Sequence, residues 1–81
     1  MRRFYFHLRR GGELVPDEEG IELPSVTAAR REAEQGGREL LAEAIKTGRD
    51  IIPDAFIVTD EHGREVDTVL LATLLPKPLR K

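Results

Sequence analysis

A chain of 81 residues, 40% hydrophobic and 35% charged, has room for one small domain whose core is little more than a single layer interface. It has no cysteine, which excludes a disulfide framework and a thiolate metal site. With 13 Lys and Arg against 15 Asp and Glu, its formal charge of −2 exerts no overall pull on nucleic acid.

Arg3-Phe4-Tyr5-Phe6-His7-Leu8-Arg9 predicts a strand, dense in aromatic residues, with Phe4, Phe6 and Leu8 on one side and Tyr5, His7 and Arg9 on the other. Gly11-Gly12 predicts a tight hairpin. Glu13-Leu14-Val15 is the short return strand, stopped by Pro16, which has no N–H for a ladder. Pro16-Asp17-Glu18-Glu19-Gly20 reads as a turn, and Ile21-Glu22-Leu23 as an extended segment that Pro24 keeps out of the helix. Ser25 is a candidate N-cap. Ala28 stands where a capping box wants Glu or Gln, so Thr27 is the alternative start.

From Val26 to Thr47 the hydrophobic period lengthens to about 3.6 residues. Val26, Ala29, Ala33, Gly36, Gly37, Leu40 and Ala44 form one stripe, widened by Leu41 and Ile45. Gly48 is a good residue for ending the helix, with Lys46 at its negative end. Two glycines inside a helix cost about 1 kcal/mol each relative to alanine. They imply either a kink or a close approach to the sheet, and the second reading suits a stripe that already holds Ala29 and Ala33.

Residues 49–54 form a loop. Ala55-Phe56-Ile57-Val58-Thr59 is a strand of β-branched and aromatic residues. Asp60-Glu61-His62-Gly63 turns the chain, and a last strand runs from Arg64 to at least Val69. The order β–β–(β)–α–β–β predicts an α+β domain over residues 1–75, an antiparallel sheet of three to five strands with one long helix on one face. Residues 76–81 form a basic, extended and frayed tail. Leu8, Val66 and Ala44 join the core, and helix–sheet contact falls to Phe4, Phe6, Gly36, Gly37, Leu40, Phe56 and Val58.

One helix covers one sheet face. The other face carries Tyr5, His7, Arg9, Ile57 and Thr59. The run Val69-Leu70-Leu71-Ala72-Thr73-Leu74-Leu75 does not alternate, so it is apolar on all sides whether strand or short helix. Contiguous exposed apolar surface marks an interface. Tyr5, His7, Ile57, Val69, Leu71, Leu74 and Leu75 are therefore the interface candidates, and a twofold homodimer is the expected assembly. The alternative is that the last segment folds back over its own domain.

No catalytic constellation can be assembled. His7 shares its face with Tyr5 and Arg9 and not with a carboxylate, and His62 sits in a turn. The one serine, Ser25, is committed to capping. Asp17, Glu18, Glu19 and Glu22 lack the spacing of a calcium loop. No metal or cofactor is expected. Arg2, Arg3, Arg9 and Arg10 at one end and Lys77, Arg80 and Lys81 at the other, with Phe4 and Tyr5 interleaved, are either a local nucleic-acid patch or charges that protect strand ends from aggregation. The second reading accounts for them more simply. Without a signal-peptide pattern or a spanning apolar run, the expected compartment is the cytoplasm.

Arg3-Phe4-Tyr5-Phe6-His7-Leu8 with its glycine hairpin, Asp17-Glu18-Glu19-Gly20-Ile21-Glu22-Leu23-Pro24, Ala28-Ala29-Arg30-Arg31-Glu32-Ala33 and Val58-Thr59-Asp60-Glu61-His62-Gly63-Arg64 are together similar to a family of short bacterial proteins defined by a domain of unknown function. That resemblance spans most of residues 3–68 and implies no activity. The hairpin, the Leu-Pro step, the helix and Gly48-Arg49-Asp50-Ile51-Ile52-Pro53 also resemble HicB-like antitoxins at the level of fold. This chain departs from those in lacking their added DNA-binding module and in its short second strand. The expectation is a non-enzymatic interaction module, homodimeric and not membrane-bound. An antitoxin-like regulatory domain that binds a small protein partner or nucleic acid is the alternative.

Overall fold

Residues 1–49 and 52–79 are described by a computed structural model of the chain. Strand β1 (Arg2–Arg10) lies inside an antiparallel five-stranded sheet, flanked on one side by β2 (Glu13–Val15) and β3 (Ile21–Leu23) and on the other by β4 (Ala55–Thr59). β5 (Glu65–Leu70) pairs with β4 and forms the outer edge. Between β3 and β4 the helix α1 (Val26–Thr47) crosses one face. The α+β class and the element order are those the periodicities predict.

β2 and β3 share one side of β1, the first against Leu8–Arg10 and the second against Arg2–Phe4. The Phe6 N–H faces the break between them, where the Asp17 carboxylate accepts its hydrogen bond at 3.1 Å. Asp17 also accepts from the Glu19 and Gly20 N–H groups, both at 3.2 Å. One side chain thus closes the sheet edge and folds the turn. Gly20 follows at φ +70°, where a Cβ would stand 2.8 Å from the Phe4 carbonyl oxygen, so only glycine fits.

Ser25 caps α1, its hydroxyl accepting from the Ala28 N–H at 3.1 Å. Gly48 ends the helix in a left-handed conformation, and the following Arg49 N–H donates to the Ala44 carbonyl at 3.0 Å. Ala29, Ala33, Gly37, Leu41 and Ala44 are the buried positions of α1. Phe4, Ala29, Ala33, Val58 and Val69 form the core, with Phe6, Leu23, Val26, Phe56, Val66 and Leu74 packed against it. Leu8 and Leu40 are only half-buried. Arg30 on the helix grips Asp67 of β5 with both carboxylate oxygens at 2.8 Å.

The two glycines part company. Gly36 lies over the Phe56 ring, as a close approach to the sheet requires, whereas Gly37 faces Leu71 and Leu74. Those leucines belong to a 3₁₀ turn, Leu71–Leu74, that follows β5 directly. The Leu71 N–H donates to the Asp54 carbonyl at 2.9 Å and the Thr73 hydroxyl to the Leu70 carbonyl at 2.6 Å, which ends the strand and bends the chain beneath the helix. The non-alternating run is thus half strand and half turn, and it folds back against α1. The tail also turns where an extended course was expected, with Lys77–Leu79 in a second 3₁₀ turn closed from Leu79 N–H to the Pro76 carbonyl at 2.9 Å. Asp50, Ile51, Arg80 and Lys81 lie outside the described residues.

Candidate functional site

The face of the sheet away from α1 is built by register. Tyr5, His7 and Arg9 of β1 stand opposite Thr59, Ile57 and Ala55 of β4. Thr68 and Leu70 of β5 stand opposite Ile57 and Ala55, and on the other flank Leu14 of β2 stands opposite Arg9. Two rows result, Leu14–Arg9–Ala55–Leu70 and His7–Ile57–Thr68, with Tyr5, Thr59 and Glu65 beyond them.

Most polar groups here are already paired within the chain. The Asp17 N–H donates to His7 Nδ1 at 3.0 Å, so the ring proton resides on Nε2, which donates to Thr59 Oγ1 at 3.1 Å. Both ring nitrogens are therefore occupied within the chain. Tyr5 stacks on the same ring, with centroids 6.3 Å apart and planes 6° from parallel. Thr68 donates to Glu65 at 2.6 Å. Arg3 donates to the Glu19 carbonyl at 2.7 Å and lies 3.6 Å from Glu22.

Uncovered on this face are Arg9, Glu65 and two leucines, while Ala55 in the same row as the leucines is fully buried. Leu14 is 55% exposed and Leu70 48%, with half-buried Ile57 between their strands. Neither leucine was legible as a surface residue. Leu14 belongs to a three-residue strand too short for its alternation to speak, and Leu70 was submerged in an apolar run. The hairpin register across Gly11-Gly12 is the signal that places Leu14 beside Arg9.

Of the interface candidates, Tyr5, His7 and Ile57 come together on this face. Val69 and Leu71 do not: they are 1% and 0% exposed and belong to the chain's own core. Leu74 packs against Gly37 and the core. Leu75 lines a groove of about 230 Å³ with Leu41, Ile45 and Ile52 on the helix side. The correction has a simple cause: β5 points Val69 towards α1, and the 3₁₀ turn then carries Leu71, Leu74 and Leu75 to that side. Of the apolar run, Leu70 alone among the described residues is placed by register on the open sheet face.

The acidic run is dispersed. Asp17 is committed to three backbone N–H donors and Glu22 to Arg3. Burial pushes the Asp17 carboxyl up, but the Phe6, Gly20 and Glu19 N–H groups outweigh it and hold the group below the usual carboxylate range. Asp60, 2% exposed, lies at the turn after β4. The backbone N–H of Arg64 lowers its pKa most, and the His62 N–H and Arg64 guanidinium lower it further, against the effect of burial. Among the described residues no three His, Asp or Glu side chains are grouped to hold a metal ion. Of the basic residues, Arg2 sits 5.0 Å above the Phe4 ring, Arg3 is paired as above, and Arg9 and Arg10 are exposed. No helix of the described residues is long and apolar enough to cross a membrane.

Residues 3–72 match a family described as Domain of unknown function (DUF6894). No curated protein and no solved structure matches the chain. Nothing in these comparisons supports the likeness to HicB-like antitoxins or an origin in bacteria.

Proposed function

The chain belongs to the family of this domain of unknown function, and from that premise we propose that it is an interaction module, working by association and not by catalysis, whose open sheet face pairs with a second copy. The observation that carries the reading is the exposure of Leu14 and Leu70 on either side of Ile57. His7, Thr59, Thr68, Glu65 and Arg3 on the same face already have partners within the chain. Burying a face most of whose polar groups are pre-paired gains the apolar area while stranding few donors or acceptors.

Charge supports a second copy as the occupant. Arg9 and Glu65 lie diagonally across the Ile57 row, one on β1 and one on β5. A twofold axis in the plane of the face sets Arg9 of one protomer over the partner's Glu65, the self-complementary pattern of a closed dimer. Sedimentation equilibrium at tens of micromolar tests this. A dimer that Leu70→Lys converts to a folded monomer is the expected result. A wild-type monomer, or a dimer indifferent to both Leu70→Lys and Ile57→Asp, overturns it.

A further inference from the structure

Packing alone does not demand a glycine at position 36. A Cβ there would meet only the Phe56 ring, at an ordinary 3.6 Å, while glycine inside a helix costs about 1 kcal/mol relative to alanine. The missing methyl leaves space. Gly36 and Ala33 of α1 line a cleft of about 170 Å³ whose other walls include the Phe6 and Phe56 rings.

Two carboxylates border this cleft, Asp17 and Glu32, and none of its lining residues is basic. Asp17 is already held in its ionised form by three N–H donors, which leave its remaining lone pair for a ligand. Glu32 is exposed and makes no hydrogen bond or ion pair among the described residues. Two clefts at the other end of α1 differ in having a basic residue, Arg49, in their lining, joined in one of them by Arg10 and Glu43.

Aromatic residues and two acidic residues lining one cleft favour a cation, through the ring quadrupole and through charge-assisted hydrogen bonds. We propose that the cleft between α1 and the β1–β3 side of the sheet binds an alkyl cation, a guanidinium or ammonium group on a short aliphatic stem. Asp17 and Glu32 hold the charge, the Phe6 and Phe56 rings flank it, and the stem lies across Gly36. The same group is offered by a free alkylguanidine or by an arginine side chain of a peptide. The cleft lies on the helix side of the sheet, so the inference is independent of pairing through the open face.

Amide chemical shifts of the ¹⁵N-labelled protein, titrated with n-butylguanidinium, test the proposal. Saturable shifts at Phe6, Ala33 and Gly36 with a Kd of about 1 mM are expected, with no response to n-butanol, which has the stem without the charge. Gly36→Ala should weaken binding about fivefold while raising the melting temperature, a combination that a purely structural glycine does not produce. Glu32→Gln, at an exposed helical position, should weaken it about threefold with the fold unchanged. The peptide acetyl-Gly-Arg-Gly-amide separates the sources. Tighter binding than n-butylguanidinium assigns the site to a partner's side chain, and weaker binding assigns it to a free cation. Absence of saturable shifts, an equal response to n-butanol, or unchanged affinity in both variants overturns the proposal.

Discussion

Gly37→Ala sets two known quantities against each other. Alanine gains about 1 kcal/mol of helix propensity over glycine. The new methyl, however, would stand 2.5 Å from Leu74 Cδ1, with Leu71 Cγ a further neighbour at 3.6 Å. Leu74 is half-buried and is met at the far end of its side chain, so the turn Leu71–Leu74 adjusts and the backbone of α1 does not. Overpacking of this kind costs about 1–3 kcal/mol, which leaves Gly37→Ala between neutral and about 2 kcal/mol destabilising. Gly36→Ala, free of any close contact, should instead stabilise by about 0.5–1 kcal/mol. For a chain of this size 1 kcal/mol moves the melting temperature by about 4–8 °C, so thermal and urea unfolding followed by circular dichroism separate the two. A Gly37→Ala, Leu74→Ala cycle isolates the clash. In the Leu74→Ala background the alanine at position 37 should recover its propensity gain, a coupling of about 1–3 kcal/mol. Equal stabilisation by both glycine replacements, or a coupling near zero, would refute the packing of α1 on the Leu71–Leu74 turn.

Leu71, fully buried, should cost about 2–5 kcal/mol when cut to alanine. Leu71→Asp should abolish the cooperative unfolding transition instead of yielding a folded monomer, in contrast to Leu70→Lys one residue earlier. Acid sensitivity follows from Asp17 and Asp60, whose folded pKa values are both depressed. Their stabilisation is complete above the unfolded carboxylate value of about 3.9 and is lost as pH falls through the lower folded values. Urea midpoints measured from pH 7 down to pH 2 should therefore fall below about pH 4. They should fall less steeply in Asp17→Asn and Asp60→Asn, and an unchanged slope in both variants would remove these groups as the cause.

The elements were legible because their periods differ. The alternation in Phe4–Leu8, the 3.6-residue stripe of Val26–Thr47 and the β-branched run Ala55–Thr59 each admit one regular structure. The fate of Val69–Leu75 was not legible, since an apolar run without period says that it is buried but not against what. Only the Leu71–Asp54 hydrogen bond and the space at Gly37 decide that. The open face was legible as far as single-strand alternation reaches, which includes Tyr5, His7 and Ile57. Leu14 and Leu70 needed the pairing register. Asp17 was readable only as a turn residue, because its main task, serving the Phe6 N–H, exists only once β2 and β3 lie along the same strand.

That shared flank has a kinetic consequence. The β1–β2 hairpin is local, and β3 joins it soon afterwards in the chain. The centre of the sheet is different: Tyr5 pairs with Thr59 and Arg9 with Ala55, a closure over roughly fifty residues that must be paid for in chain entropy before it is rewarded. Until β4 arrives, Leu8 has a partner strand on one side only, and α1 has no Val58 or Val69 to rest on. The first strand in the chain is thus the last to be completed, and the capture of residues 55–59 by β1 is the closure that costs most chain entropy.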